Sequence, residues 1–215
     1  MKKNASARSR NRLLIVALTC GFLAAGSILK SSSADAPDVF RGKGESAFAV
    51  MFNVDINGTI YPRVQLNVFR DVSSGNTTLV INAFEVPNVF QNRTIHRLAG
   101  PIASANFILA PGLTSASLST VLNTSGNAFN NAEAGPLVNY GIDLDWSADT
   151  IGNLLDTSVF NGRTVGNPGV AFRDTFHQNG PHAEGGVTGM MGPTNITSAF
   201  GTMDANRSFE IFQPR

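Results

Sequence analysis

Residues 138–146 read VNYGIDLDW, and apolar and polar side chains alternate along this stretch. Every second position from Val138 to Trp146 is apolar, whereas Asp143 and Asp145 lie between the apolar positions. A period of two is typical of a β-strand that buries one face, because successive side chains of a strand point to opposite sides. The stretch therefore predicts a strand with a core side and a solvent side.

Two earlier segments, residues 45–56 and 61–70, alternate in the same way and are separated by Asn57-Gly58. A two-residue turn at Asn57-Gly58 would set Phe52 opposite Arg63, an apolar side chain against a charged one. A three-residue loop over residues 57–59 instead sets Phe52 opposite Val64. Because the buried face fixes the register of a strand pair, we predict the three-residue loop.

The remainder of the chain is also typical of β-structure. Residues 77–86 are apolar on both faces, which is typical of a central strand. No segment carries an apolar stripe of helical period, and the glycine-rich segment 180–193 is predicted to be a surface loop. About ten short strands separated by Gly, Asn and Pro predict an all-β fold. The predicted architecture is a single-domain antiparallel β-sandwich, with a closed β-barrel as the alternative.

The first thirty residues hold six of the sixteen Lys and Arg side chains and no acidic one. A basic segment to residue 12 precedes an apolar run over residues 13–29, which is short and interrupted for a transmembrane helix. We predict a signal peptide at residues 1–34, a short extension at 35–44 and the all-β domain at 45–215. The predicted location is secreted, periplasmic or extracellular.

Beyond Ala34 the sequence has ten basic and fifteen acidic side chains, a formal charge of −5. This charge argues against nucleic acid and anionic membranes as partners of the mature domain. The mature domain is also predicted not to span a membrane. Cys20, the one cysteine, lies in the predicted leader. The domain is therefore expected to have no disulfide and no thiolate metal site.

His177, His182 and Glu184 lie within eight residues of one another. Two imidazoles and a carboxylate in a turn are a candidate metal site with an open coordination position. The spacing matches no established zinc pattern, and the alternative is a solvated loop.

Asp143, Asp145 and Asp149 form the densest group of acidic residues. On a strand Asp143 and Asp145 point to the same side about 7 Å apart, so that Asp149 could complete a calcium site of oxygen ligands. The alternative is a wet strand face. Calcium is the one cofactor that we consider from the sequence.

The segments IDLDW at 142–146, NPGV at 167–170 and AEGGVTG at 183–189 resemble small exported bacterial all-β proteins of unassigned function. In those proteins a strand ending in Trp precedes a glycine-rich hairpin. The resemblance implies a secreted β-domain and transfers no active site.

The sequence favours a non-catalytic exported domain with a binding, adhesion or structural role at the cell exterior, acting on a cell-surface or protein partner. The alternative is a secreted hydrolase-like or metal-dependent enzyme that uses the histidine group or the aspartate group. An enzyme would need at least two of these side chains to converge in a concave pocket.

Overall fold

The computed structural model describes residues 38–85, 94–124, 136–164 and 169–213. Within these ranges the chain forms eleven β-strands and two 3₁₀ turns, at Ser104–Asn106 and Pro111–Leu113. The strands are β1 (Asp38–Met51), β2 (Val54–Ile56), β3 (Thr59–Tyr61), β4 (Arg63–Asp71), β5 (Thr77–Phe84), β6 (Thr94–Ile102), β7 (Phe107–Leu109), β8 (Ser115–Leu122), β9 (Tyr140–Thr164), β10 (Ala171–Met191) and β11 (Thr194–Gln213). The predicted leader lies outside the described residues, and β1 begins inside the predicted extension.

Nine of these strands form one sheet in the order β10-β11-β1-β4-β5-β6-β9-β8-β7, and β2 pairs with β3. In addition, β10 pairs with β9 from Ala171 to Met191. The ladders between described strands are antiparallel apart from a short parallel contact between β6 and β9. The all-β class is confirmed, in a sandwich-like arrangement, and Pro37–Arg215 forms one compact unit.

The main hydrophobic core lies against one face of β1, β4 and β5. β4 contributes Val64, Leu66 and Val68 to it, as the alternation predicts, and Trp146 packs there from β9. Every residue of β5 is buried, which confirms the expectation of a central strand. Removing this apolar surface from water is the main favourable contribution to folding.

The turn at Asn57-Gly58 differs from the three-residue loop that the sequence predicted. Met51 pairs with Val64 and Ile56 with Thr59, which is the register of a two-residue turn and not of the predicted three-residue loop. Asn57 has φ 57° and Gly58 has φ 81°. A type I′ hairpin turn needs positive φ at both central residues, and Asn-Gly is the pair that adopts it most readily.

The register prediction was wrong because the wrong face of β1 was assigned to the core. The side chains of β1 that reach the main core are small or flexible: Ala47, Ala49 and Met51. Phe48 points the other way and pairs with Asn67. The prediction placed Phe48 in the main core and the Asn67 face of β4 in solvent, whereas in the structure both side chains lie on a second face that another layer of strands covers.

The segment 180–193 also differs from its prediction, because most of it lies in β10 and not in a surface loop. Its glycines lie where strands approach closely. A Cβ on Gly185 would meet the backbone oxygen of Ser147, and a Cβ on Gly189 would meet that of Asp143. Glycine is therefore required by packing within a strand at these positions, and composition alone led to the wrong assignment.

Candidate functional site

A cavity of about 380 Å³ lies between β1, β4 and β5 on one side and β9, β10 and β11 on the other. Its apolar wall contains Phe48, Phe69, Val80, Phe160, Phe176 and Ile211. The solvent-exposed residues of its lining are Leu154, Asp156 and Val159, and all three belong to β9. The cavity is therefore most accessible from the β9 side.

Strand alternation explains why polar side chains point into this interior space. Val64, Leu66 and Val68 of β4 face the main core, so that Gln65 and Asn67 between them face the cavity. The residues on β5 that line the cavity are likewise those on the face opposite the main core. The second layer of strands therefore turns what would be a wet sheet face into a partly enclosed site.

A buried ion pair supports one wall of the cavity. Arg97 donates from Nη1 to Asn82 Oδ1 at 2.8 Å, from Nη2 to Asp174 Oδ1 at 2.9 Å and from Nε to the Phe212 carbonyl at 2.9 Å. Its guanidinium also lies 4.3 Å from the ring centroid of Phe172. Burial lowers the pKa of Arg97 and raises the pKa of Asp174, and the attraction between the two charges opposes both effects.

A second polar network joins β10, β11 and β1. His182 Nδ1 lies 2.6 Å from Asp204 Oδ1, and Arg207 Nη1 donates to Asp204 Oδ2 at 2.6 Å. The Ser46 hydroxyl is 3.4 Å from the same Oδ2. The remaining ring nitrogen of His182, Nε2, lies 3.3 Å from Glu184 Oε1. The buried Asp204 carboxylate thus has three neighbouring donor groups and connects three strands below the cavity.

Gln178 occupies the centre of the β10 wall and is 3% exposed. Its Nε2 donates to the carbonyls of Pro181 at 2.9 Å and Ala205 at 2.7 Å, which fixes the orientation of the amide. Its Oε1 has no hydrogen-bond partner among the described residues, and the same holds for Nε of Arg207. Buried polar atoms are nearly always paired, so these two atoms are exceptions, and neither presents accessible surface to the cavity.

Asp156 of β9 stands directly opposite Gln178 in the β9–β10 ladder. Both residues line the cavity, so their side chains lie on the same face. The Asp156 side chain makes no hydrogen bond or ion pair within the part of the chain that the structure describes. The Asp156 carboxylate therefore stands unpaired at the accessible end of the cavity, beside the buried side chain of Gln178.

The predicted histidine group is only partly brought together. His182 lines the cavity and approaches Glu184, whereas His177 is exposed and outside the cavity lining, with Nδ1 3.0 Å from Thr157 Oγ1. Between His177 and His182 the register of β10 against β11 shifts. His182 instead joins Asp204, a residue that no feature of the sequence groups with it.

The predicted aspartate group lies on β9, away from the cavity lining. Asp143 and Asp145 are exposed on one face of the strand, as predicted. Asp149 is the extra residue of a β-bulge, because Glu184 pairs with Thr150 and Gly185 with Ala148. In the described ranges no three His, Cys, Asp or Glu side chains are grouped so that they could hold a metal ion.

Several polar residues of the cavity were not singled out from the sequence: Asp156, Asp174, Gln178, Asp204 and Arg207 in the lining, and Arg97, which pairs with Asp174. The one available signal was a polar residue at alternate positions among phenylalanines, as at Asp174 between Phe172 and Phe176. By itself that pattern is typical of a solvent-exposed strand face, because the sequence does not show that a second layer of strands covers it.

Comparison of the chain with protein-family models, with curated proteins and with solved structures finds no match. Among the described residues no helix is long and apolar enough to cross a membrane. The cavity is therefore the feature of the molecule from which a function can be inferred.

Proposed function

We propose that this protein is an exported, non-catalytic binding protein that holds a small amphipathic molecule in the cavity between its strand layers. The observation that carries the proposal is the cavity of about 380 Å³ itself, in which apolar side chains account for most of the exposed lining and polar side chains of β4, β5, β9, β10 and β11 also face inward. A mostly apolar cavity with a few oriented polar groups is the usual form of a small-molecule site.

Two features give the site a defined shape. The Arg97–Asp174 pair and the His182–Asp204–Arg207 network fix the positions of the strands that bear the polar lining. Rigid strands hold side chains in place more accurately than loops do, and a preorganised site loses less entropy on binding.

Catalysis is supported less well than binding, although a His–Asp pair at 2.6 Å is an arrangement that orients a general base. In the described residues Nε2 of His182 faces the Glu184 carboxylate and not a hydroxyl group. The nearby hydroxyl of Ser46 approaches Asp204 Oδ2 and not the imidazole. The geometry therefore provides a charge network without a nucleophile placed on the imidazole.

The proposal is tested with N-phenyl-1-naphthylamine, a neutral dye whose fluorescence rises in apolar surroundings, added to the purified full chain. We expect saturable binding with one dye per protein. Ser158→Phe, which places a ring in the cavity lining on β9, should weaken dye binding at least about tenfold, because the ring occupies space that the dye would fill and the dye then buries less apolar area.

Asn161→Phe is the matched control, since Asn161 is exposed on the same strand and does not line the cavity. This variant should bind the dye as the parent protein does. Leu154→Phe provides a second cavity variant if Ser158→Phe fails to fold, as judged by circular dichroism. A folded parent protein that shows no saturable binding would overturn the proposal, as would equal loss in the cavity and control variants.

A further inference from the structure

We propose that the molecule held in the cavity is an organic monocation, a protonated primary amine on an apolar body, whose ammonium group donates to the Asp156 carboxylate. This inference rests on the proposed function and names the chemical class of ligand for the same site.

Most of the charged side chains that line or support the cavity are paired with an opposite charge. Asp204 is paired with Arg207 at 2.6 Å, and Asp174 is paired with Arg97 at 2.9 Å. Asp156 has no cationic partner within the described residues. Asp156 is therefore the one carboxylate of the cavity lining without a cationic partner among the described residues, and it stands at the accessible end of the cavity. An anionic ligand would be repelled there, whereas a monocation restores neutrality.

The hydrogen-bonding groups at the accessible end of the cavity also favour an ammonium group. The Asp156 carboxylate accepts hydrogen bonds only, and no described residue donates one to its side chain. A primary ammonium group has three N–H donors, so one such group can supply a donor to each oxygen of this carboxylate. A hydrogen bond between an ammonium and a carboxylate is charge-assisted and stronger than a bond between neutral groups.

The aromatic wall fits the same ligand. Phe176 lies on the cavity face of β10, and its ring stacks on Phe69 with centroids 5.6 Å apart. Phe160 lies beyond Asp156 on the cavity face of β9. Aromatic rings both bury the apolar body of a ligand and attract a nearby cation through the negative charge of their faces.

The test uses three probes that share one apolar body and differ in charge: 4-phenylbutylamine, 4-phenylbutanol and 4-phenylbutanoate. Each displaces N-phenyl-1-naphthylamine from the full chain at neutral pH and low salt. We expect the amine to bind at least about tenfold more tightly than the alcohol, since a hydrogen bond to a charged group is worth more than a neutral one. The carboxylate should bind most weakly, and added salt should reduce the preference for the amine.

Asp156→Asn should reduce the preference for the amine over the alcohol to about twofold or less, while the dye itself still binds. Asp149→Asn is the control, because Asp149 is an exposed carboxylate of the same strand outside the cavity lining. It should leave the preference unchanged.

The outcomes separate the two proposals. If the dye does not bind to the folded protein, the proposed function fails. If the dye binds but the three probes displace it equally, or the alcohol or the carboxylate is preferred, the inference about charge is wrong. It is also wrong if Asp156→Asn retains the preference of the parent protein.

Discussion

Arg97 Nη2 lies 2.9 Å from Asp174 Oδ1 in an ion pair that joins β6 to β10, with the two side chains 0% and 2% exposed. Asp174 also accepts a hydrogen bond from the backbone N–H of Phe212 at 3.1 Å. Because Asn82 and the Phe212 carbonyl accept the other described bonds of the guanidinium, the pair is embedded in a well-satisfied network. Such a network positions the strands around the cavity.

Removing one partner of this pair should lower the free energy of unfolding much more than removing both partners. Arg97→Met or Asp174→Leu alone leaves a buried charge without its counterion and should lower the free energy of unfolding by about 3–5 kcal/mol. The double variant should lose much less than the sum of the two single losses, which urea unfolding measures. Additive losses would contradict the coupling. Arg41→Met, which breaks the exposed pair with Glu210, should change stability little.

Gly201 should not tolerate a methyl group. A Cβ at this position would lie 2.6 Å from Cδ1 and 2.8 Å from Nε1 of Trp146, whose indole N–H donates to the Phe48 carbonyl at 2.8 Å. We expect Gly201→Ala to destabilise the protein by about 1–3 kcal/mol, because a packed core resists added volume. Gly100→Ala is the control, since a Cβ there meets no atom within 4 Å. Chemical denaturation that shows equal effects at the two sites would argue against this packing.

Sequence alternation predicted the strands well where one face meets the main core. The positions 140, 142, 144 and 146 of β9 are buried as predicted, although Val138 before them is 65% exposed. Beyond Trp146 the bulge at Asp149 shifts the register of β9 against β10, and a single strand gives no sign of such a shift because it depends on its partner.

The cavity could not be predicted from the sequence for a related reason. Its walls come from six strands, and no strand by itself indicates that one of its faces lines a cavity. His182 stands out in the sequence because of its immediate neighbours, yet its short contact is with Asp204, twenty-two residues away. The spacing of residues along the chain predicts contacts between neighbours in sequence, whereas the contacts of this site arise from strand pairing.

The turn at Asn57-Gly58 should depend on its glycine. Gly58 has φ 81°, a conformation that costs an L-residue about 1–2 kcal/mol. Gly58→Ala should therefore lower the free energy of unfolding by about that amount, although a Cβ there would meet no atom within 4 Å. Gly141→Ala provides the control, because it is equally open in a strand without a positive φ. Equal denaturation midpoints for the two variants would show that backbone conformation is not the cause.

Asp71 should make the stability of the protein depend on pH. Hydrogen bonds from the backbone N–H and the hydroxyl of Ser73, with a further one from the Ser74 hydroxyl, lower the pKa of Asp71 below its usual value of 3.8. A folded-state pKa below the unfolded value means that the stabilisation is present above 3.8 and is lost as the pH falls through the folded pKa. Asp71→Asn should thus be less stable than the parent protein at neutral pH, and this difference should shrink once the pH falls below 3.8.

Urea unfolding of the parent protein and of Asp71→Asn across this pH range measures the difference. Asp145→Asn serves as the control, since its exposed carboxylate makes no hydrogen bond with the described side chains and so lacks the donors that stabilise the charge at Asp71. A stability difference between parent and Asp71→Asn that stays constant from neutral pH to acid would mean that the Ser73 bonds do not favour the ionised form. The turn at 71–76 would then owe its stability to backbone geometry, with Gly75 donating to the Asp71 carbonyl at 2.7 Å.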